Sequence, residues 1–137
     1  MHGSPMVLVV EDDPQIQVLI EAALDQGGFD CVITASGEEA INLLQEEAGK
    51  YCALLTDINL SLATDGWEAA RRARKLKPDI PVLYMTGDSA DQWASSGVPH
   101  SIILNKPFAP SQVAKVVAQL LNASAAPSPL VQGGAWA

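Results

Sequence analysis

The sequence predicts an α/β protein, a doubly wound sheet of five parallel strands with helices covering both faces. Three observations carry this expectation. Five short apolar runs, rich in Val, Ile and Leu, are unbroken rather than alternating, which is the pattern of strands buried on both faces of a parallel sheet. Segments with apolar residues at helical spacing lie between these runs, so each strand returns through a helix and right-handed crossovers leave few topologies. The chain has 137 residues, 48% of them apolar, which suffices for one domain with a substantial core and leaves no room for a second.

Met1 to Pro5 is short, polar and Gly-containing, and is set aside as a disordered N-terminus or a cloning remnant. Met6 to Val10 is the first strand and ends in Glu11-Asp12-Asp13. Pro14 suits the first turn of a helix with Asp13 as its N-cap, and Ile16, Leu19, Ile20, Ala23 and Leu24 keep helical spacing until Gly27-Gly28 stops it. Phe29 to Ala35 is the second strand. Ser36 and Glu39 form a capping box for the second helix, which buries Ala40, Leu43 and Leu44 and ends at Gly49. The third strand, Cys52 to Thr56, delivers Asp57 at its carboxyl end. A polar loop, Ile58 to Thr64, leads to Asp65, the cap of a third helix that ends near Leu76, before Pro78. Pro81 to Met85 is the fourth strand and ends in Thr86-Gly87. Asp88 to Ser96 is a short, weakly patterned helix, and Ser101 to Leu104 is a fifth strand running into Asn105-Lys106-Pro107-Phe108. Pro110 starts a last helix with Val113, Val116, Val117, Leu120 and Leu121 on one face. From Ala123 the composition shifts to Ala, Ser, Pro and Gly, so a domain of residues 6–122 is followed by a flexible tail, 123–137.

A formal net charge of -8 argues against a surface that binds DNA or RNA phosphates, which takes Lys and Arg to neutralise them. A cation is the more natural ligand. No targeting segment and no apolar run long enough to cross a bilayer is present, so the chain reads as cytoplasmic, away from membranes, with Cys31 and Cys52 reduced. Without a CxxC pair or a nearby His these thiols do not suggest a metal site. His2 and His100 are isolated and read as surface residues. Arg71, Arg72, Arg74, Lys75 and Lys77 gather most of the basic charge at one helix end, where cations favoured by the helix dipole lie on a solvated face.

In open α/β sheets ligands bind in the crevice beyond the carboxyl ends of the strands. Strands one, three, four and five end there in Glu11-Asp12, Asp57, Thr86 and Lys106. Taken singly, Asp57 could cap a turn, and Glu11 and Asp12 could be a solvated helix start. Together they put three carboxylates close to one another, and like charges at that range repel by several kcal/mol at an effective dielectric of about 20. A divalent cation resolves the conflict, and oxygen-only ligands point to Mg2+. The Lys106 ammonium and the Thr86 hydroxyl can hold two oxygens of a phosphoryl group while the cation holds a third, which is what phosphoryl transfer needs. Asp57 is then the nucleophile, and its attack on phosphorus gives an acyl phosphate.

These residues resemble the receiver domain of bacterial two-component response regulators, over Met6 to about Asn122. Val9-Val10-Glu11-Asp12-Asp13-Pro14 is similar to the family's acidic turn, Asp57 to its phosphoacceptor, Asp65-Gly66 to the start of its third helix, Thr86 to its switch hydroxyl and Lys106-Pro107-Phe108 to its Lys-Pro motif. The resemblance implies a flavodoxin-like sheet with strand order 2-1-3-4-5. It implies Mg2+ on Asp12, Asp57 and the backbone carbonyl of Asn59, with Glu11 acting mainly through water, and a cis peptide at Lys106-Pro107. It further implies phosphoryl transfer to Asp57 from a sensor histidine kinase or His-phosphotransfer protein, with self-phosphorylation and auto-dephosphorylation in place of conventional enzyme turnover. The signal then passes to a downstream protein partner.

Three departures from the family pattern qualify that expectation. Ile103 stands where the family usually has Tyr or Phe, three residues before its Lys, which puts the ordinary Thr-aromatic switch in doubt. The segment between Thr86 and Gly97 is shorter than usual by about a helical turn, so the fourth helix is expected to be short, displaced or mobile. Thr86-Gly87, where Thr-Ala is common, is similar to an atypical, often stand-alone subgroup. On the first helix Gln15, Val18, Glu21, Ala22 and Asp25 face away from the core, and the resemblance implies kinase docking at Gln15, Val18 and Ala22. A pseudo-receiver that keeps the fold without switching, and a receiver fragment of a hybrid histidine kinase, are the competing readings. An unrelated aspartyl-phosphate hydrolase usually has a second Asp where Asn59 stands. Asn59 and Asp88 are the polar neighbours expected to orient a hydrolytic water.

Overall fold

All five apolar runs form strands, β1 (Met6–Val10), β2 (Asp30–Thr34), β3 (Ala53–Asp57), β4 (Val82–Thr86) and β5 (Ser101–Asn105), in a computed structural model that describes residues 6–60 and 64–125, with side chains to 122. The strands pair in parallel in the order β2-β1-β3-β4-β5. β1, β3 and β4 are interior and buried almost throughout, which is why their sequences are continuous apolar runs, whereas β2 and β5 at the edges are partly open.

The helices are α1 (Pro14–Gln26), α2 (Gly37–Glu47), α3 (Gly66–Leu76), α4 (Trp93–Ser96) and α5 (Pro110–Ala125). Alternate strand residues supply two cores. Leu8, Val10, Leu54 and Tyr84 face α2 and α3 through Leu44 and Ala70. Val7, Val9, Leu55 and Met85 face α1 and α5 through Leu24 and Val117. Each large aliphatic side chain buried this way contributes about 1.5–3 kcal/mol.

The helix starts follow the sequence. Asp13, Ser36 and Asp65 each accept the backbone N–H of Gln15, Glu39 and Glu68, worth about 1 kcal/mol apiece. The Glu39 carboxylate returns to the Ala35 N–H at 3.0 Å, one residue earlier than a standard capping box places it. At the other end of α1, Gly28 takes φ 88, the left-handed conformation that terminates a helix without a Cβ penalty.

Several boundaries differ from expectation. α2 ends at Glu47, one residue before the expected Ala48, where the backbone leaves the helical region (φ -158, ψ 75), and a separate 3-10 turn, Ala48–Lys50, follows, closed by the Tyr51 N–H on the Ala48 carbonyl at 3.3 Å. Ile41 is buried while Leu43 is half-buried, so the inward face is rotated by one position. The fourth helical segment divides into a 3-10 turn, Ala90–Gln92, and the single turn of α4, and is short as expected. α5 runs to Ala125 and so takes in the first three residues of the expected tail. The expected N-terminal segment, the rest of the tail, His2 and the middle of the loop after Asp57 lie outside the described residues.

The basic cluster on α3 is the main correction. Arg74 is not a solvated cation: its guanidinium donates to the carbonyls of Ile80 at 2.7 Å, Pro99 at 2.7 Å and His100 at 3.4 Å. Lys77 Nζ donates to the Tyr51 carbonyl at 2.9 Å. These side chains pin loops at the amino-terminal edge of the sheet, because spacings of three along a helix line up on one face and loop carbonyls have no ladder partner. Burial lowers the Arg74 pKa below its usual value, with Tyr84 and Asp79 opposing the shift.

Candidate phosphoacceptor site

Asp57 is the last residue of β3 and is 5% exposed. Its backbone is pressed by the start of α3: Gly66 donates its N–H to the Ile58 carbonyl at 2.9 Å, and a Cβ at position 66 would come within 2.2 Å of the Asp57 carbonyl oxygen. Only glycine permits that approach. Glu11 follows β1 and is fully buried. Its Oε2 accepts the Asp13 N–H at 3.0 Å, its Oε1 accepts from Lys106 Nζ at 3.2 Å, and its carbonyl accepts from the Gln17 side-chain amide at 2.6 Å. Lys106 lies just beyond β5 and also donates to Asp57 Oδ2 at 3.2 Å, so one ammonium bridges two carboxylates. The Lys106-Pro107 peptide is cis, as the resemblance implies.

One carboxylate oxygen each from Glu11, Asp12 and Asp57 lie within 4.8 Å of one another. Pairs at this range repel by roughly 3 kcal/mol at an effective dielectric of about 20, and the Lys106 ammonium offsets this for Glu11 and Asp57. Burial, then the negative charge of Asp57, pushes the Glu11 carboxyl above its ordinary range, while the Asp13 N–H and Lys106 pull the other way. Burial works against the Lys106 ammonium, yet Asp57 and Glu11 overcome it and its pKa is raised. An all-oxygen donor set of three close carboxylates fits a hard divalent cation.

Thr86 ends β4, fully buried. Its hydroxyl oxygen accepts the N–H of Ser89 at 2.8 Å and of Asp88 at 3.2 Å, and its carbonyl accepts the Lys106 N–H at 2.7 Å. Thr86 and Lys106 are therefore adjacent through the backbone, while the lysine side chain turns to the acids. Asn59, exposed, has its N–H 3.4 Å from Asp57 Oδ1 and its side-chain amide 2.8 Å from Asp88 Oδ1, which also accepts from Ser89 Oγ at 3.0 Å. Ile103 is half-buried and pairs in register with Tyr84. Gln15, Val18 and Ala22 are exposed on α1, with Val18 at 66%. Sequence reasoning missed Gln17 and Ser89. Gln17 sits at the junction of core and solvent faces, where spacing carries no signal, and Ser89 matters through a turn geometry that propensity does not reveal.

Residues 7–118 match the family model described as the response regulator receiver domain. The chain belongs to this family. It is 35% identical over 104 residues to the response regulator receiver protein CpdR of Brucella abortus (strain 2308), covering 74% of this chain and 84% of that protein. It is 31% identical over 125 residues to the sensor kinase CckA of the same organism, which covers 89% of this chain but 13% of the kinase. Among solved structures, a response regulator receiver protein from Sinorhizobium medicae WSM419 superposes with a TM-score of 0.83 at 39% identity, covering 88% of this chain and 97% of that one. The chain is thus a receiver domain of two-component phosphorelay signalling, and receiver domains bind Mg2+ in the active site and interact with histidine kinases or phosphotransfer proteins. No helix among the described residues is long and apolar enough to cross a membrane.

Proposed function

We propose that Asp57 of this receiver accepts a phosphoryl group from the phosphohistidine of a sensor histidine kinase or His-phosphotransfer protein in the cytoplasm. The observation that carries the reading is the Lys106 ammonium at 3.2 Å from both Asp57 and Glu11, beside three converging carboxylates. An Asp57 carboxylate oxygen attacks phosphorus; the new O–P bond forms as the P–N bond to the donor imidazole breaks, and the electron pair leaves with the imidazole. Lys106 neutralises charge on the transferring oxygens, and the Thr86 hydroxyl supplies a hydrogen bond to one of them. Asp12, Asp57 and the Asn59 carbonyl are the residues to hold Mg2+, with Glu11 acting through water because both its carboxylate oxygens are engaged. The bound cation supplies charge neutralisation and orients the phosphoryl group.

Docking of the donor on Gln15, Val18 and Ala22 of α1, and departure of the signal through a downstream protein rather than nucleic acid, complete the reading. The match to a segment of a sensor kinase favours a second setting, in which such a domain relays phosphoryl groups within a hybrid kinase. Intact mass after incubation with Mg2+ and a small phosphodonor tests the chemistry. One phosphoryl adduct is expected, absent in Asp57→Ala and absent with chelator. An unmodified native chain that also fails to bind Mg2+ would favour the pseudo-receiver, the reading to which Ile103 points.

A further inference from the structure

The acidic turn after β1 is held by a side chain that stands at none of the strand tips. β1 itself ends at Val10. One residue on, the Glu11 N–H still donates to the Thr34 carbonyl at 3.0 Å, but the Glu11 carbonyl takes its hydrogen bond from the Gln17 side-chain amide at 2.6 Å. A carbonyl oxygen can only accept, so the Gln17 group facing it is the NH2. The reach back from helix to turn is possible because Gln17 is the fourth residue of α1 and side chains of a helix tilt toward its start.

The Glu11 carbonyl lies in one planar peptide with the Asp12 nitrogen. Holding its oxygen sets the ψ of Glu11 together with the φ of Asp12, and with them the direction in which the Asp12 side chain leaves the turn. The neighbouring anchors hold other atoms. Glu11 Oε2 accepts the Asp13 N–H at 3.0 Å and Oε1 accepts from Lys106 Nζ at 3.2 Å, while the Asp13 carbonyl accepts the Gln17 backbone N–H at 3.0 Å. Gln17 thus grips the turn twice, by its backbone at Asp13 and by its side chain at Glu11, with Asp12 between the two grips. Without the amide the part-buried Glu11 carbonyl loses this donor, and its peptide turns toward water to replace it. That turn swings Asp12 relative to Glu11 and Asp57, the acids whose oxygens now lie within 4.8 Å of its own.

We propose that Gln17 is a positioning residue for the divalent-cation site: its side-chain amide orients the Glu11-Asp12 peptide so that the Asp12 carboxylate stands where a small octahedral ion needs it. The identity of that ion rests on the Mg2+ reading above; the placement of Asp12 by Gln17 does not. Mg2+ demands near-ideal octahedral geometry, whereas Ca2+ accepts flexible coordination. A displaced carboxylate therefore weakens Mg2+ more than Ca2+.

The test is Gln17→Met, which keeps the length, the neutral charge and the helix propensity of the side chain and removes its donor. Mg2+ alone and Ca2+ alone are titrated into the full chain by calorimetry. The variant is expected to bind Mg2+ about tenfold more weakly than the native chain, the scale on which loss of a group orienting a metal ligand acts, and to lose less for Ca2+. Unchanged Mg2+ affinity would overturn the proposal, and so would a loss for Ca2+ as large as that for Mg2+, which is what a loosened fold produces. In chelator, the Asp12 backbone amide and carboxyl carbon signals are followed by NMR. Both are expected to move in the variant while those of Asp65, the cap of α3, stay in place. Asp12 signals that coincide with the native ones, or Asp65 signals that move as far, overturn the placement. Should Gln17→Met fail to fold, Gln17→Asn, whose amide is one methylene short of the carbonyl, is read by the same criteria. A native chain that binds neither ion overturns the Mg2+ reading, and the Asp12 signals in chelator then decide the placement alone.

Discussion

Glu11 is a buried carboxyl whose charge costs stability where it stands. Its carboxyl is buried beside Asp57, and its pKa rises above the ordinary 4.5 chiefly through that burial. A raised pKa means the folded chain binds this proton more tightly than the unfolded chain does. The corresponding stability is fully present below pH 4.5 and is lost as pH rises through the folded-state value. Glu11→Gln, which keeps the shape and removes the charge, is therefore expected to raise the Tm of the metal-free protein at neutral pH. The gain should shrink as the pH is lowered toward 4.5, as thermal melts in chelator across that range would show. If Glu11 contributes to Mg2+ binding through water, the same variant should gain less Tm on adding Mg2+ than the native chain does.

At the scale of elements, two contacts set where the site residues stand. The start of α3 lies directly on the Asp57 backbone, and Gly66→Ala would drive a methyl group into the Asp57 carbonyl and the Ile58 Cα, 2.2 and 2.6 Å away. Backbone cannot yield as a flexible side chain can, so a loss of about 1–3 kcal/mol by denaturant titration is expected. Adduct formation should fall further than stability alone explains, because Asp57, the proposed phosphoacceptor, is itself shifted. At the opposite edge, Arg74 holds three carbonyls from two loops. Arg74→Met is expected to cost about 1–3 kcal/mol in the same measurement, since the fork of donors leaves polar groups unpaired. Arg74→Lys should recover only part of it, because an ammonium does not reproduce the planar geometry.

For the molecule as a whole, the candidate site is assembled from loops that follow separate strands. Asn59 follows β3 and Asp88 follows β4; the Asn59 side-chain amide donates to Asp88 Oδ1 at 2.8 Å, and the Asn59 backbone N–H stands 3.4 Å from Asp57 Oδ1. We expect each of Asn59→Ala and Asp88→Ala to change the decay rate of the phosphorylated state, measured as loss of adduct with time. Because the two residues form one contact, the double variant should fall short of the sum of the single effects, the signature of coupled neighbours. Additive effects, or unchanged decay in both single variants, would show that the bridge does not govern the lifetime.

The strands, the helix starts and the residues that arrive at the strand tips were legible in the sequence, because each rests on local rules. An unbroken apolar run such as Val7 to Val10 has no stable place except between two helical layers, and Asp13, Ser36 and Asp65 satisfy backbone donors within their own turns. Asp57, Thr86 and Lys106 could be brought to one edge on paper because every strand of a parallel sheet points the same way. Pairings across the chain were not legible. Nothing local reveals that Lys106 reaches Glu11, that Arg74 faces loop carbonyls instead of solvent, or that Trp93 docks on Ser101. Long side chains have many rotamers, and which partner each one finds depends on which loops the fold sets beside it. Sequence determined which groups arrive at the strand tips; only the tertiary structure decided which of them touch, because that choice belongs to the packing of distant segments.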